Sequence, residues 1–504
     1  MRGVVTSTSE KKNKRRRTFG LLVFMVASTK NRIVSGMFWT FGSQLFLQLG
    51  GFVIGIILAR MLSPDDYGLV GMLAIFMAIA QSLLDSGFSN ALVQKKNRTG
   101  EDYSTVFYFN IGIAALLYAI LYISAPYIAK FYDIPLLTKV TRIIALSVII
   151  NGLTIVQTAK LTVELNFRLQ FVATVSAMLL SGALGIYLAY SGFGVWALVW
   201  QSVSSTFIKA VVLWIFSHWH PQLTFSIASF RSLFSYGSKL LVSGLLHTVY
   251  TNLYTLTIGK AFKAADVGYY NRANGYGLIP YNVFSQAVNN VIFPVLSEMQ
   301  DDNERLLHHY QKMMRIPMYV YVPLMFGIAV LSPTLIEILI GSKWLPCAIY
   351  MQILCLGYTF APLSSLNLNL LYVKGRSDIT LKLDLIKKPI GIALLFATLP
   401  FGLTVMCIGK AVYELVAFAL NCYYTKKVLN FGLISQLKNV IVFFLYAAVM
   451  SVAVYFLAAH CTSLWVKLLG GTTTGVVVYL LLSIIFREKT LQELLAVLKE
   501  RLKR

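Results

Sequence analysis

The chain has 504 residues, 57% hydrophobic and only 13% charged, with a mean hydropathy of +0.69. Too little polar surface is available to coat a soluble globule of that size, so an integral membrane protein is required. The net charge of +24 would suggest nucleic acid in a soluble protein, but here most Lys and Arg lie in short loops and at the two ends, where they set orientation in the bilayer.

Residues 1–32 carry the basic run Lys11-Lys12-Asn13-Lys14-Arg15-Arg16-Arg17, then an apolar stretch from Phe19 to Ala27 that is too short to span. This order imitates a signal peptide, but Lys30 and Arg32 follow at once and the first full span begins directly after them, so cleavage is not expected. Met25 is an alternative start. Fourteen helical spans are predicted, at 33–58, 67–84, 105–125, 143–157, 171–190, 195–217, 237–259, 273–296, 316–340, 346–373, 379–399, 404–425, 439–460 and 465–486. Ten-residue segments of alternating polarity are missing, which excludes a β-barrel. The connections are short and leave no room for a soluble catalytic domain. With the N-terminus inside, most of the 44 Lys and Arg residues fall on the cytoplasmic side, as expected for an even number of spans with both termini cytoplasmic.

A duplicated stretch organises the map. Ile57-Leu58-Ala59-Arg60-Met61-Leu62-Ser63-Pro64-Asp65-Asp66-Tyr67-Gly68 recurs in weaker form as Ile258-Gly259-Lys260-Ala261-Phe262-Lys263-Ala264-Ala265-Asp266-Val267-Gly268-Tyr269. Arg60 pairs with Lys260, Asp66 with Asp266 and Gly68 with Gly268; upstream, Phe41-Gly42-Ser43 pairs with Tyr236-Gly237-Ser238. Six spans separate the copies, so they enter the membrane in the same direction and are parallel repeats. The expected organisation is a basic cytoplasmic segment (1–32), a first six-helix lobe (33–217), a linker (218–236), a second six-helix lobe (237–425), two extra helices (439–486) and a basic amphipathic tail (487–504). Leu161-Thr162-Val163-Glu164-Leu165-Asn166-Phe167-Arg168 is expected to lie as an amphipathic elbow on the cytoplasmic surface. In the tail, Leu491, Leu494, Leu495, Leu498 and Leu502 recur at helical spacing among basic residues, which predicts an interfacial anchor helix.

The stretch from Ser35 to Gln94, with Ala59-Arg60-Met61-Leu62-Ser63-Pro64-Asp65-Asp66-Tyr67-Gly68 and Asp85-Ser86-Gly87-Phe88-Ser89-Asn90-Ala91-Leu92-Val93-Gln94, closely resembles the start of bacterial Wzx-type polysaccharide flippases. These belong to the multidrug/oligosaccharidyl-lipid/polysaccharide superfamily, and the likeness is greatest to its colanic acid and teichuronic acid exporters. Glu164-Leu165-Asn166-Phe167-Arg168 and Val267-Gly268-Tyr269-Tyr270-Asn271-Arg272-Ala273 match as well. The resemblance covers essentially the whole chain and is dense up to about residue 300. It implies an all-α membrane fold of two six-helix lobes around a central cavity plus two helices. The implied activity is transfer of an undecaprenyl-diphosphate-linked oligosaccharide to the outer leaflet of the cytoplasmic membrane, without chemistry on it, for O-antigen, capsule or exopolysaccharide synthesis. The implied partners are that glycolipid and membrane lipids, with a polymerase and a chain-length regulator as further candidates; a monomer is expected, with no nucleic acid.

A diphosphate crossing hydrocarbon needs cations or a wet basic cavity. Arg60, Lys260 and Arg272, near the outer ends of their helices, are candidates; the alternative is that each snorkels to headgroups or neutralises Asp65, Asp66 or Asp266. Lys209 lies deeper. Lys410 and Glu414, at i and i+4, can pair, as a structural tie or for coupling. Lys387 and Lys388 precede Pro389 and serve either as cytoplasmic anchors or as an entry site. Asp85 is read as helix-ending or gating, and Gly50-Gly51, Pro280, Pro294, Pro317, Pro323 and Pro389 as kinks or hinges. The five cysteines sit in or beside apolar runs without ligand spacing, and His218 and His220 flank Trp219 without a partner, so neither metal nor cofactor is expected. Two other classes remain: a cation-coupled exporter of drugs or other small molecules, disfavoured by basic cavity ends, and a membrane glycosyltransferase or polymerase, disfavoured by short outer loops with few carboxylates.

Overall fold

The structure, a computed structural model, describes residues 46–85, 88–217 and 219–502. Every regular element among them is helical. The N-terminal basic segment with Met25, the start of the first span, Phe41-Gly42-Ser43, Gly87 and His218 lie outside the described residues.

The first pass of the chain is α1 (Phe46–Met61), α2 (Pro64–Asp85), a short α3 (Phe88–Gln94), the long α4 (Gly100–Tyr132), a broken run α5 (Leu136–Ile144), α6 (Leu146–Gly152) and α7 (Ile155–Val163), then α8 (Phe167–Tyr190) and α9 (Val195–Phe216). The second pass repeats this order. It has α10 (Ile227–Ala261), α11 (Ala264–Ala287), a short α12 (Phe293–Ser297), the long α13 (Asn303–Ile340), the broken pair α14 (Pro346–Tyr358) and α15 (Ala361–Val373), then α16 (Ser377–Thr398) and α17 (Leu403–Leu429). Two further helices, α18 (Leu433–His460) and α19 (Leu464–Ile485), precede the terminal α20 (Lys489–Leu502).

The repetition extends to the joints. Between α7 and α8 the chain reverses with Leu165 at φ 55°, and between α15 and α16 with Gly375 at φ 66°. In both, the next amide reaches back into the helix it leaves: Asn166 N–H to the Leu161 carbonyl and Arg376 N–H to the Leu371 carbonyl, each 2.8 Å. This is a Schellman stop, which satisfies the last carbonyls of a helix and turns the chain sharply. The expected surface elbow at residues 161–168 is therefore this tight reversal, its first residues ending α7 and its last opening α8. Gly194 and Gly402, each at positive φ, stand just before α9 and α17. The long helices also start alike: Thr99 and Asp102 cap α4 reciprocally, and Asp302 caps α13 by accepting from Arg305 N–H at 3.0 Å.

Ten of the helical runs are long and apolar enough to cross a membrane, so the protein is a multi-pass membrane protein. The expected fourteen would add α1, α10, α11 and α16, which do not meet that criterion among the described residues; α11 and α16 carry polar and charged side chains along their length. The span expected at 143–157 is longer and twice interrupted, because Ala145 and the Leu153-Thr154 pair break it between Leu136 and Val163. The expected linker at 218–236 is partly helical, since α10 begins at Ile227. Pro280, Pro317, Pro323 and Pro389 lie inside continuous helices. Pro294 follows a π-helical stretch, Val288–Ile292, where α11 gives way to α12.

By packing, the chain divides into two units. The first takes in Leu73–Asn252 with the chain up to Leu62. Within it, Ala173, Ala177, Ser181, Gly185 and Ala189 form a buried stripe on α8 at four-residue spacing. Small residues at that spacing let backbones approach closely, the usual means of helix association in lipid, where the hydrophobic effect is weak; Gly185 meets Gln201 of α9.

The second unit takes in Ser63–Met72 with the chain from Leu253 on. At its end Arg315 of α13 ties down the tail. Its guanidinium donates to Glu488 Oε1 at 2.6 Å, Thr490 Oγ1 at 2.8 Å and the Asn439 carbonyl at 3.1 Å. Burial alone would raise the pKa of Glu488, but the Arg315 pair and the Thr490 bonds outweigh it and hold the carboxyl below its ordinary value. A depressed folded pKa means that this stabilisation is complete above the unfolded value, near 4.3, and drains as pH falls through the folded one. Release of α20 is therefore expected in acid, and Glu488→Gln should release it at neutral pH; limited proteolysis of the tail reads both.

Candidate functional site

The duplicated turn becomes two helix starts. Ser63 N–H and Ser63 Oγ both donate to Asp66 Oδ2, at 2.9 and 2.6 Å, and Asp66 N–H donates to Ser63 Oγ at 3.2 Å. In the second copy Lys263 N–H donates to Asp266 Oδ2 at 3.1 Å. The two matched aspartates are thus N-terminal caps that satisfy orphan amides of α2 and α11. Arg60 in the first unit and Lys260 in the second each fall one residue short of the end of their helix, α1 and α10, and both are exposed.

The two matched glycines face each other. A Cβ on Gly68 would stand 1.7 Å from the Ala264 carbonyl oxygen, and one on Gly268 would stand 2.2 Å from the Pro64 carbonyl oxygen. Only glycine permits such backbone contact. Around the crossing sit aromatic rings: Trp344, fully buried, is met edge-on by Tyr67 at 5.4 Å and by Tyr269 at 6.0 Å between centroids. Arg272, half-buried, stacks on Tyr67 with its guanidinium carbon 4.0 Å from the ring centroid, and Tyr276 lies 6.0 Å away.

Further along α11 a second cluster surrounds Lys410 of α17. Its ammonium donates to Tyr270 Oη at 2.7 Å and Asn274 Oδ1 at 2.9 Å. Tyr358 Oη donates to the same Asn274 oxygen. The rings of Tyr254, Tyr270 and Tyr358 lie 5.2, 5.2 and 5.6 Å from the ammonium. Lys410 is held by neutral oxygens and aromatic faces, while Glu414, one turn on, lies in electrostatic reach of both Lys410 and Lys387.

Of the other expected residues, Lys387 borders the second cluster through Glu414. Lys387 is buried on α16, 3.6 Å from Asp384, and Lys388 is 3.7 Å from the same carboxylate. In the first unit Asp85 ends α2, accepting from Gln81 Nε2 at 2.9 Å, and Gln81 Oε1 accepts from Asn151 Nδ2 at 2.9 Å. Lys209, half-buried on α9, faces Asp85 electrostatically. No grouping of three metal-ligating side chains occurs among the described residues. A cavity of about 430 Å³ lies between α13, α18 and α19, lined by Pro323, Gly327, Leu331, Val454 and Gly475 among other residues.

The description "Polysaccharide biosynthesis protein" belongs to a family model that matches residues 57–349, more than half of the chain. The chain is a member of the polysaccharide biosynthesis protein family. The teichuronic acid biosynthesis protein TuaB of Bacillus subtilis (strain 168) is 27% identical over 362 residues, 71% of this chain and 74% of that protein. The lipopolysaccharide biosynthesis protein WzxC of Escherichia coli (strain K12) is 23% identical over 366 residues, again 71% and 74%. Among solved structures, the lipid II flippase MurJ in its inward closed conformation superimposes with a TM-score of 0.73 at 16% identity, covering 90% of this chain and 99% of that one. At that identity the likeness shows the fold.

In this family member several site residues have no linear signal. Trp344, Tyr254, Asn274 and Tyr358 come from three helices, α10, α11 and α14, and the short turn before α14. Tyr67 carried one clue, its place between the matched Asp66 and Gly68.

Proposed function

We propose that this protein moves an undecaprenyl-diphosphate-linked oligosaccharide from the inner to the outer leaflet of the cytoplasmic membrane, for surface polysaccharide synthesis. The observation that carries this is membership of the polysaccharide biosynthesis family, joined to relatives named for teichuronic acid and lipopolysaccharide biosynthesis and to the flippase fold. The protein does no chemistry on the glycan. Both termini face the cytoplasm, and the monomer works by alternating access of two lobes; a polymerase and a chain-length regulator take over the product.

Arg60, Lys260 and Arg272 act on the diphosphate at the outer end, and Lys209, Lys387 and Lys388 nearer the inner side. The apolar lining of the cavity between α13, α18 and α19 suits an isoprenoid chain. A membrane potential negative inside favours outward movement of an anion by about 2.3 kcal/mol per charge per 100 mV.

Deleting the gene should leave the lipid-linked repeat unit on the inner leaflet, and purified protein in vesicles should expose a fluorescent lipid-linked oligosaccharide to an impermeant quencher. Unchanged distribution in cells together with no exposure in vesicles would reject the reading.

A further inference from the structure

The two copies of the turn do more than repeat: they lock onto each other. We propose that the first turns of α2 and α11 form a latch, interlocked at Gly68 and Gly268 and seated on Trp344, that holds one end of the second unit shut and parts once in each cycle.

Three features make this contact separable. Its centre is backbone on backbone, with the Ala264 and Pro64 carbonyls seated where the glycines lack side chains, so no long side chains must be withdrawn for it to open. Each half is also capped from within, by Ser63 with Asp66 and by Lys263 with Asp266, so parting strands no helix-start amide. The surrounding grip includes aromatic edges on Trp344 and the cation–π contact of Arg272 on Tyr67, which are weak one by one. Gly71 extends the fit, since a Cβ there would meet the Asn271 amide nitrogen at 2.5 Å.

This device rests on the transport reading for its purpose but not for its existence. Cys347, one turn past Trp344 and fully buried, is a native reporter. The test uses the full-length protein with Cys355, Cys407, Cys422 and Cys461 replaced by serine, labelled in membranes with an impermeant maleimide applied to either side. Cys347 should react slowly in this background, and at least tenfold faster in Gly68→Val or Gly268→Val, where the added branches deny the turns their contact. Trp344→Ala, which adds no bulk, should also accelerate labelling and guards against a merely misfolded valine variant; gel filtration confirms folding. Labelling at the background rate in folded Gly268→Val and Trp344→Ala proteins would overturn the latch. Acceleration from the inner side alone would overturn the assigned orientation and keep the latch. A latch that opens in a protein exposing no lipid-linked oligosaccharide would overturn the transport reading instead.

Discussion

Charge reversal at Arg272 is expected to stop transport altogether, and Arg272→Lys to retain part of it. Arg272 lies over the Tyr67 ring, its guanidinium carbon 4.0 Å from the centroid, with Tyr276 at 6.0 Å. That geometry fixes a positive charge at this place, and a planar guanidinium matches the oxygens of a diphosphate. The stack itself contributes roughly 0.5–2 kcal/mol, too little to explain complete loss, so an abolished rate would assign the effect to the anion. Lysine keeps the charge but loses the planar fork. The measurement is the initial rate of lipid-linked oligosaccharide exposure in vesicles, and wild-type rates in Arg272→Glu would remove this residue from the path.

Lys410→Met is expected to be the most destabilising of the single substitutions discussed, at roughly 3–5 kcal/mol, the usual cost of removing one partner from a buried charged network. The ammonium is bonded to Tyr270 and Asn274 and ringed by three tyrosines. Without it Tyr270 Oη loses this donor and Asn274 Oδ1 is left with Tyr358 Oη, and Glu414 keeps Lys387 as its remaining electrostatic neighbour of opposite charge. The double variant Lys410→Met/Glu414→Gln should recover part of the loss, because the stranded carboxylate is removed as well. Thermal unfolding in detergent measures both; equal melting of wild type and Lys410→Met would mean that the cluster contributes nothing to stability.

Sequence reasoning was strongest where the signal is local or periodic. The duplicated turn, the order of the spans and the helical tail all follow from residues within a few turns of one another. It was weakest where polarity and length compete. α16 was legible as a helix from its flanks, yet Asp378, Lys382, Asp384, Lys387 and Lys388 keep it from meeting a simple apolarity criterion. The spacing of Lys410 and Glu414, at i and i+4, lets the two pair on one helical face. In the fold, Tyr270 and Asn274 lie closer to the ammonium, because α11 packs within reach of α17.

The sequence by itself determined that this is a helical membrane protein built from a parallel repeat, since apolar run length and motif spacing are properties of the linear chain. It also singled out Arg60, Lys260, Asp66, Asp266, Gly68 and Gly268 as matched positions. Only the tertiary structure decided what those matches are for: the aspartates cap helices, and the glycines let two helix starts touch. Trp344 joins them from more than seventy residues away. A pattern in one dimension records which positions repeat; whether the repeats meet depends on how the helices pack, which no local spacing encodes.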